Sequence, residues 1–171
     1  LLRGEEADPR RVLESWLGSP SRPDRAQAPG ADPLVSIVVP VYDRTSEIVR
    51  LAHSIYEQDY PWIEVVFSCN GSPPETLEAV RVAENYLMKR RFSVRVREMP
   101  HACGCATIPR DYGIRSSTGD LICLLDSDDW LDYHFFHFLR HGQWRDDTLY
   151  YPKRIFRDHG RVMRPGFPFN T

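Results

Sequence analysis

The chain has 171 residues, of which 42% are hydrophobic and 27% charged. That suffices for one ordinary domain with a core, is too little for two of usual size, and excludes a chain that is disordered throughout. With 22 basic and 24 acidic residues the formal charge is −2, and there are four cysteines. Neither a nucleic-acid partner nor a disulfide framework is indicated, and no apolar run has the length of a membrane span or the layout of a signal peptide. These counts lead to the expectation of a cytoplasmic protein.

Residues 1–33 hold five of the 14 prolines and eleven charged residues. They read as a tail and proline-rich linker, with a short helix over Arg11–Leu17. From Leu34 the pattern changes. Leu34–Val39 is a near-continuous apolar run, as expected for a strand buried on both faces, and Pro40 is tolerable at its end. Ile48, Leu51, Ala52 and Ile55 recur at helical spacing, and Tyr60-Pro61 is expected to close that helix. Trp62–Phe67 reads as a second buried strand. Ser72 and Glu75 stand at capping-box spacing, with Pro73 at the first position of a helix whose apolar face is Leu77, Val80, Ala83 and Leu87.

Phe92–Val96 reads as a short strand. Ala106–Ser117 reads as a third helix, provided that Pro109 falls in its first turn. Leu121–Leu125 is a third buried strand that runs into Asp126-Ser127-Asp128-Asp129. Leu131–Arg140 is expected to form a fourth helix. Thr148–Tyr151 and the stretches on either side of Asp158-His159-Gly160 read as strands joined by a turn. The order gives an α/β fold: an open, mostly parallel twisted sheet with helices on both faces.

In such sheets ligands bind outside the carboxyl ends of the strands. Three predicted strand ends deliver polar groups to that edge: Pro40-Val41-Tyr42-Asp43-Arg44, Ser68-Cys69-Asn70-Gly71-Ser72 and Asp126-Ser127-Asp128-Asp129. Two carboxylates one residue apart at a strand exit can share a hard divalent ion with a substrate phosphate, which suits Mg²⁺ or Mn²⁺. The plainer reading is an acidic turn or helix cap. Arg110, near the start of the third helix, can pair with a phosphate, a base edge or Asp111. Cys103 and Cys105 raise the question of zinc, with Cys69, Cys123 and His101 as further donors, but the spacing is incomplete. His134, His137 and His141 form a stripe on the predicted helix that could bind metal or simply be solvated. Six basic and three acidic residues between Arg145 and Thr171 form a solvated face or a contact to an anionic membrane surface.

These motifs, in this order and spacing, resemble family 2 glycosyltransferases of the GT-A fold. The resemblance runs from about Leu34 to Val162. It rests on Val35–Asp43, Asn70-Gly71-Ser72, Pro109–Ile114 and Gly119–Asp129. It implies a nucleotide-sugar site, with a UDP-sugar favoured, in which Pro40, Tyr42 and Asp43 line the nucleoside pocket. Asn70 would sit beside the base and Arg110 near the base or phosphates. Asp126 would approach ribose and metal, and Asp128 would hold the metal on the diphosphate. The implied reaction is metal-dependent, inverting transfer of a sugar to an acceptor hydroxyl on a glycan, lipid or protein.

The chain departs from the family pattern in three places. Cys69-Asn70 replaces a pair of acids, and Arg110-Asp111 replaces Arg-Asn. The family's catalytic acid and a Gln-x-x-Arg-Trp-like motif would lie beyond Thr171, and Asp158 is a poor substitute for the base. Residues 34–171 are therefore expected to be a truncated, donor-binding GT-A-like domain with no catalytic residue assigned. The alternatives are a catalytically silent binding module and a nucleotidyltransferase-like enzyme that uses the same acidic site.

Overall fold

The computed structural model describes residues 31–142, 144–145, 148–150, 155–156 and 162–163. The expected Arg11–Leu17 helix and Asp158 lie outside the described residues. A four-stranded, all-parallel sheet has the order β3-β2-β1-β4, built from β1 (Val35–Val41), β2 (Ile63–Asn70), β3 (Ser93–Met99) and β4 (Leu121–Leu124). Helices α1 (Thr45–Tyr56), α2 (Pro74–Met88) and α3 (Thr107–Ser116) connect them. Short strands β5 (Ile155–Phe156) and β6 (Val162–Met163) pair antiparallel as a separate ribbon, which fits the strands expected on either side of residues 158–160. Thr148–Tyr150 is not a strand.

Both central strands are buried along their whole length. One face of the sheet presents Val35, Ile37, Val39 and Val41 of β1 and Ile63, Val65 and Phe67 of β2 to one core. Against it pack Ile48, Leu51, Ala52 and Ile55 of α1 and Val80, Ala83 and Leu87 of α2, the periodic residues read from the sequence. The opposite face receives α3. A Cβ on Gly113 would lie 2.4 Å from the Val38 side chain and 2.6 Å from Ser68 Oγ. Helices therefore cover both faces, as expected.

β1 continues through Pro40 to Val41, and the register explains how. Odd-numbered residues of β1 turn their backbone groups to β2, as where Val35 N–H donates to the Trp62 carbonyl at 3.0 Å. Even-numbered ones face β4, as where the Val38 carbonyl accepts from Leu125 N–H at 3.1 Å. Pairing with β4 ends at Val38–Leu124. Pro40, which has no N–H, thus faces a side where the ladder has already stopped.

Several expectations need correction. α1 stops at Tyr56, short of Tyr60-Pro61, because Gln58 N–H closes onto the Ile55 carbonyl (3.2 Å) and tightens the last turn. Tyr60 is instead a fully buried core residue whose hydroxyl donates to the Pro33 carbonyl. The capping box does not form: α2 begins at Pro74, and Ser72 Oγ donates to the Val41 carbonyl at 3.0 Å. β4 is not buried on both faces. Among the described residues it pairs only with β1, and Leu124 is 53% exposed. Leu131–Arg140 is not an α-helix but a string of turns running into a 3₁₀ helix at His137–Gly142. There the Asp132 carbonyl is taken by Gln58 Nε2 at 2.7 Å and by Phe135 N–H. This tighter winding buries Leu131, Phe136 and Leu139 in the same core.

A buried polar knot ties the strands together. Glu64 of β2 is fully buried. Its Oε2 accepts from Ser36 Oγ (2.5 Å) and Thr118 N–H (2.7 Å), and its Oε1 from Thr118 Oγ1 (2.8 Å) and Arg95 Nε (2.9 Å). Burial alone would push this carboxyl up, but the hydrogen bonds and the Arg95 charge together hold it below the ordinary value.

Candidate functional site

The carboxyl ends of β1, β2 and β4, the 101–106 loop and the start of α3 enclose a cleft of about 590 Å³. Its walls include Pro40, Tyr42, Asp43, Asn70, Arg110, Asp126 and Asp128, so the residues that the resemblance assigns to a nucleotide sugar and its metal all line one cavity. The cause is topological. Parallel strands end on the same edge, and the polar residues follow directly after the apolar runs.

Each carboxylate of the Asp-x-Asp pair faces an arginine. Arg110 Nη2 bonds Asp126 Oδ1, and Arg44 Nε lies 3.8 Å from Asp128 Oδ2. Arg110 does not pair with Asp111, which instead binds Arg115 one helical turn on, at 2.8 Å. Arg50 stacks 4.2 Å over the Trp130 ring and reaches the Asp128 carbonyl at 3.4 Å. Ser127 is buried, and Asp129 N–H donates to the Asp126 carbonyl at 3.0 Å, which closes a tight acidic turn. Burial raises the Asp129 carboxyl above its ordinary value, and Asp128 and Asp126 add to the effect. The carboxylates of Asp126 and Asp128 offer oxygen donors in this turn and are about half exposed. Such a set fits a hard divalent ion with open positions for phosphate oxygens and water.

Asn70 does something the sequence did not show. Its Oδ1 accepts from Cys103 N–H at 2.9 Å and from Cys103 Sγ at 3.0 Å, and its Nδ2 lies 3.4 Å from the Cys105 carbonyl. It fastens the 101–106 loop that forms one wall of the cleft. Gly71 permits this approach. It has φ of +59°, and a Cβ there would lie 2.3 Å from Ala102 N. Cys103 Sγ and Cys105 Sγ are 3.9 Å apart. Among the described residues no third donor joins them, so the zinc reading of these thiols is not supported. Arg44 and the loop were the parts missed. Arg44 stood in the first polar strand end, but nothing local showed that its partner was Asp128.

Residues 36–158 match the family described as Glycosyl transferase family 2. The chain belongs to this family. An uncharacterized glycosyltransferase, EpsJ, of Bacillus subtilis is 31% identical over 104 residues, covering 61% of this chain and 28% of that protein. The poly(ribitol-phosphate) beta-N-acetylglucosaminyltransferase TarS of Staphylococcus aureus is 28% identical over 99 residues, covering 57% and 16%. Among solved structures, S. aureus TarS 1-349 in complex with UDP aligns with a TM-score of 0.55 at 26% identity, covering 60% of this chain and 30% of that one. The mannosyltransferase PcManGT of Pyrobaculum calidifontis, in complex with GDP-Man and Mn²⁺, gives 0.53 at 29%, covering 69% and 33%. The family 2 chain thus spans less than a third of the length of these curated relatives. No helix among its described residues is long and apolar enough to cross a membrane.

Proposed function

We propose that the cleft binds a nucleotide sugar, with a UDP-sugar favoured, and that the protein serves inverting transfer of the sugar to an acceptor hydroxyl. The observation that carries this reading is the convergence of Tyr42, Asp43, Asn70, Arg110, Asp126 and Asp128 on one cavity at the carboxyl edge of the sheet. TarS with UDP and PcManGT with GDP-Man and Mn²⁺ support the ligand class. In this reading Pro40, Tyr42 and Asp43 form the nucleoside wall. Asn70 acts on that wall through the loop it fastens. Arg110 leaves Asp126 to meet the diphosphate or the base.

Asp126 and Asp128 would hold Mg²⁺ or Mn²⁺. When bound, the ion offsets the charge that develops on the departing diphosphate. The acceptor hydroxyl must lose a proton as it attacks the sugar carbon. Among the described residues the carboxylates lining the cleft are Asp43, Asp126 and Asp128, all assigned here to donor and metal. That favours, as a second reading, a chain that binds donor without transferring it unaided.

Calorimetric titration with UDP and GDP, each with and without Mn²⁺, tests the proposal. Mn²⁺-dependent binding that is lost in Asp128→Ala is expected. Binding indifferent to both would overturn it. Sugar transfer or donor hydrolysis by the same chain would remove the second reading.

A further inference from the structure

A second cluster of metal-ligating groups lies at the other end of the sheet. Asp59 stands in the turn between α1 and β2, on the amino edge of the strands, whereas Asp126 and Asp128 follow the carboxyl end of β4. The 126–140 segment runs from one edge to the other along α1. Leu131 N–H donates to Ser54 Oγ at 3.1 Å, Gln58 Nε2 donates to the Asp132 carbonyl at 2.7 Å, and Arg140 donates to the Asp59 carbonyl. Phe136 and Leu139, both buried, anchor it.

This path brings His134 Nδ1 to 3.0 Å and His137 Nδ1 to 3.1 Å from the same Asp59 Oδ2. The three donor atoms all lie within 4.8 Å of one another. The rings stand nearly edge to face, with planes 75° apart, so both nitrogens point inward without the rings colliding. The imidazoles are 63% and 62% exposed, while the Asp59 side chain is only 16% exposed. The result is a fixed carboxylate with two imidazoles over it, open to solvent on one side.

We infer that Asp59, His134 and His137 form a binding site for a borderline-soft divalent ion, Zn²⁺ foremost, distinct from the cation position of the donor cleft. Two imidazoles and one carboxylate, with water in the remaining position, are a common three-ligand set for Zn²⁺. Nitrogen donors disfavour Mg²⁺, which takes oxygen and keeps its water. Tetrahedral bonds of about 2.0–2.1 Å place donors about 3.3 Å apart, so the two imidazole–carboxylate spacings of 3.0 and 3.1 Å need to open by only a few tenths of an ångström. A single carboxylate oxygen, Asp59 Oδ2, faces both ring nitrogens. Arg140 adds an opposing charge, but it binds the backbone carbonyl and leaves Oδ2 to the imidazoles. An ion here would pin the segment that follows Asp128 to the α1–β2 turn.

The test is Zn²⁺ titration of the full chain against a chromophoric chelator, without a polyhistidine tag and with Cys103 and Cys105 changed to serine. Binding of one equivalent that excess Mg²⁺ does not displace is expected, as is an affinity at least about tenfold weaker in the His134→Ala/His137→Ala variant. Both histidines are exposed, so that variant should keep its circular dichroism spectrum. Asp59→Asn provides an independent second loss. Asp128→Ala should leave Zn²⁺ binding unchanged. Absence of binding in the serine background, or binding that survives the histidine substitutions, would overturn the inference.

Discussion

Thr118 gives Glu64 two hydrogen bonds, from its N–H at 2.7 Å and its hydroxyl at 2.8 Å, across 54 positions of sequence. Thr118 precedes β4, and Glu64 lies near the start of β2, two strands away in the sheet. Ser36 of the intervening β1 completes the bridge, donating to Glu64 and accepting Gly119 N–H at 2.8 Å. The same carboxylate therefore sets where β4 enters the sheet, and through β4 where Asp126 and Asp128 emerge. The geometry of the cleft at one edge depends on a buried anion near the other.

Glu64→Gln should destabilise the fold by about 3 kcal/mol at neutral pH. A glutamine amide must turn its NH₂ toward either Thr118 N–H or Arg95 Nε–H, so one buried donor faces another. The wild-type carboxyl is held below its ordinary value. Its contribution is therefore complete above the unfolded value of about 4.3 and is lost as pH falls through the lower folded value. The gap in urea midpoints between wild type and variant should narrow on acidification below about pH 4. A gap that is constant with pH would contradict this account.

What the sequence made legible was set by local pattern. The apolar runs of β1 and β2, the helical spacing of Ile48, Leu51, Ala52 and Ile55, and the polar strand ends are all properties of neighbouring residues. A parallel topology then brings those ends together without further information. What stayed hidden involves distant partners. Glu64 lies inside an apolar strand, and its ligands come from 28, 31 and 54 positions away. Ser72 has good capping spacing, yet the Val41 carbonyl takes its hydroxyl. Leu131–Arg140 has helical composition, but its first turn is held by Gln58, 74 positions earlier. Two of the three histidines expected on one helical stripe, His134 and His137, both meet Asp59, a partner 75 and 78 positions earlier.

Gly71→Ala should weaken nucleotide binding more than it weakens the fold. The new Cβ would meet backbone atoms of the 101–102 segment at 2.3–2.6 Å, at a φ of +59°. Backbone cannot yield as a side-chain tip can, so the loop must retreat and its bonds to Asn70 must lengthen. A stability loss of about 1–3 kcal/mol is expected, together with a larger fractional loss of UDP affinity. Asn70→Ala should reproduce the affinity loss without the strain. Normal UDP binding in both variants would show that the loop is not part of the ligand wall.

Cys105 should be the first thiol to alkylate. The backbone N–H of Ile108 does most to hold its pKa below the ordinary thiol value, and Cys103 and Thr107 add to this against the opposing effect of burial. Burial pushes Cys69 and Cys123 up to about 12, which keeps them as thiols at neutral pH. Iodoacetamide labelling followed by peptide mapping should find Cys105 modified early, with a rate that rises at lower pH than that of an ordinary thiol. Because Cys105 lines the cleft, UDP with Mn²⁺ should slow this labelling. Earlier modification of Cys69 or Cys123 would contradict the assignment.

Arg44 and Arg110 face the carboxylates of Asp128 and Asp126, so they should compete with a cation bound there. The Arg44–Asp128 contact is long, at 3.8 Å, with side chains 50% and 53% exposed. It contributes no more than about 1 kcal/mol to folding. Arg44→Ala should therefore leave unfolding nearly unchanged but tighten Mn²⁺ binding, since a cation beside Asp128 has been removed. The gain should shrink as salt is raised, because exposed charges are screened. Arg110→Ala should also free a carboxylate for Mn²⁺, yet weaken UDP, because the guanidinium assigned to the donor is lost. Calorimetry with Mn²⁺ alone and with UDP at fixed Mn²⁺ separates the two. Weaker Mn²⁺ binding in Arg44→Ala would mean that this arginine orders Asp128 for the ion instead of opposing it.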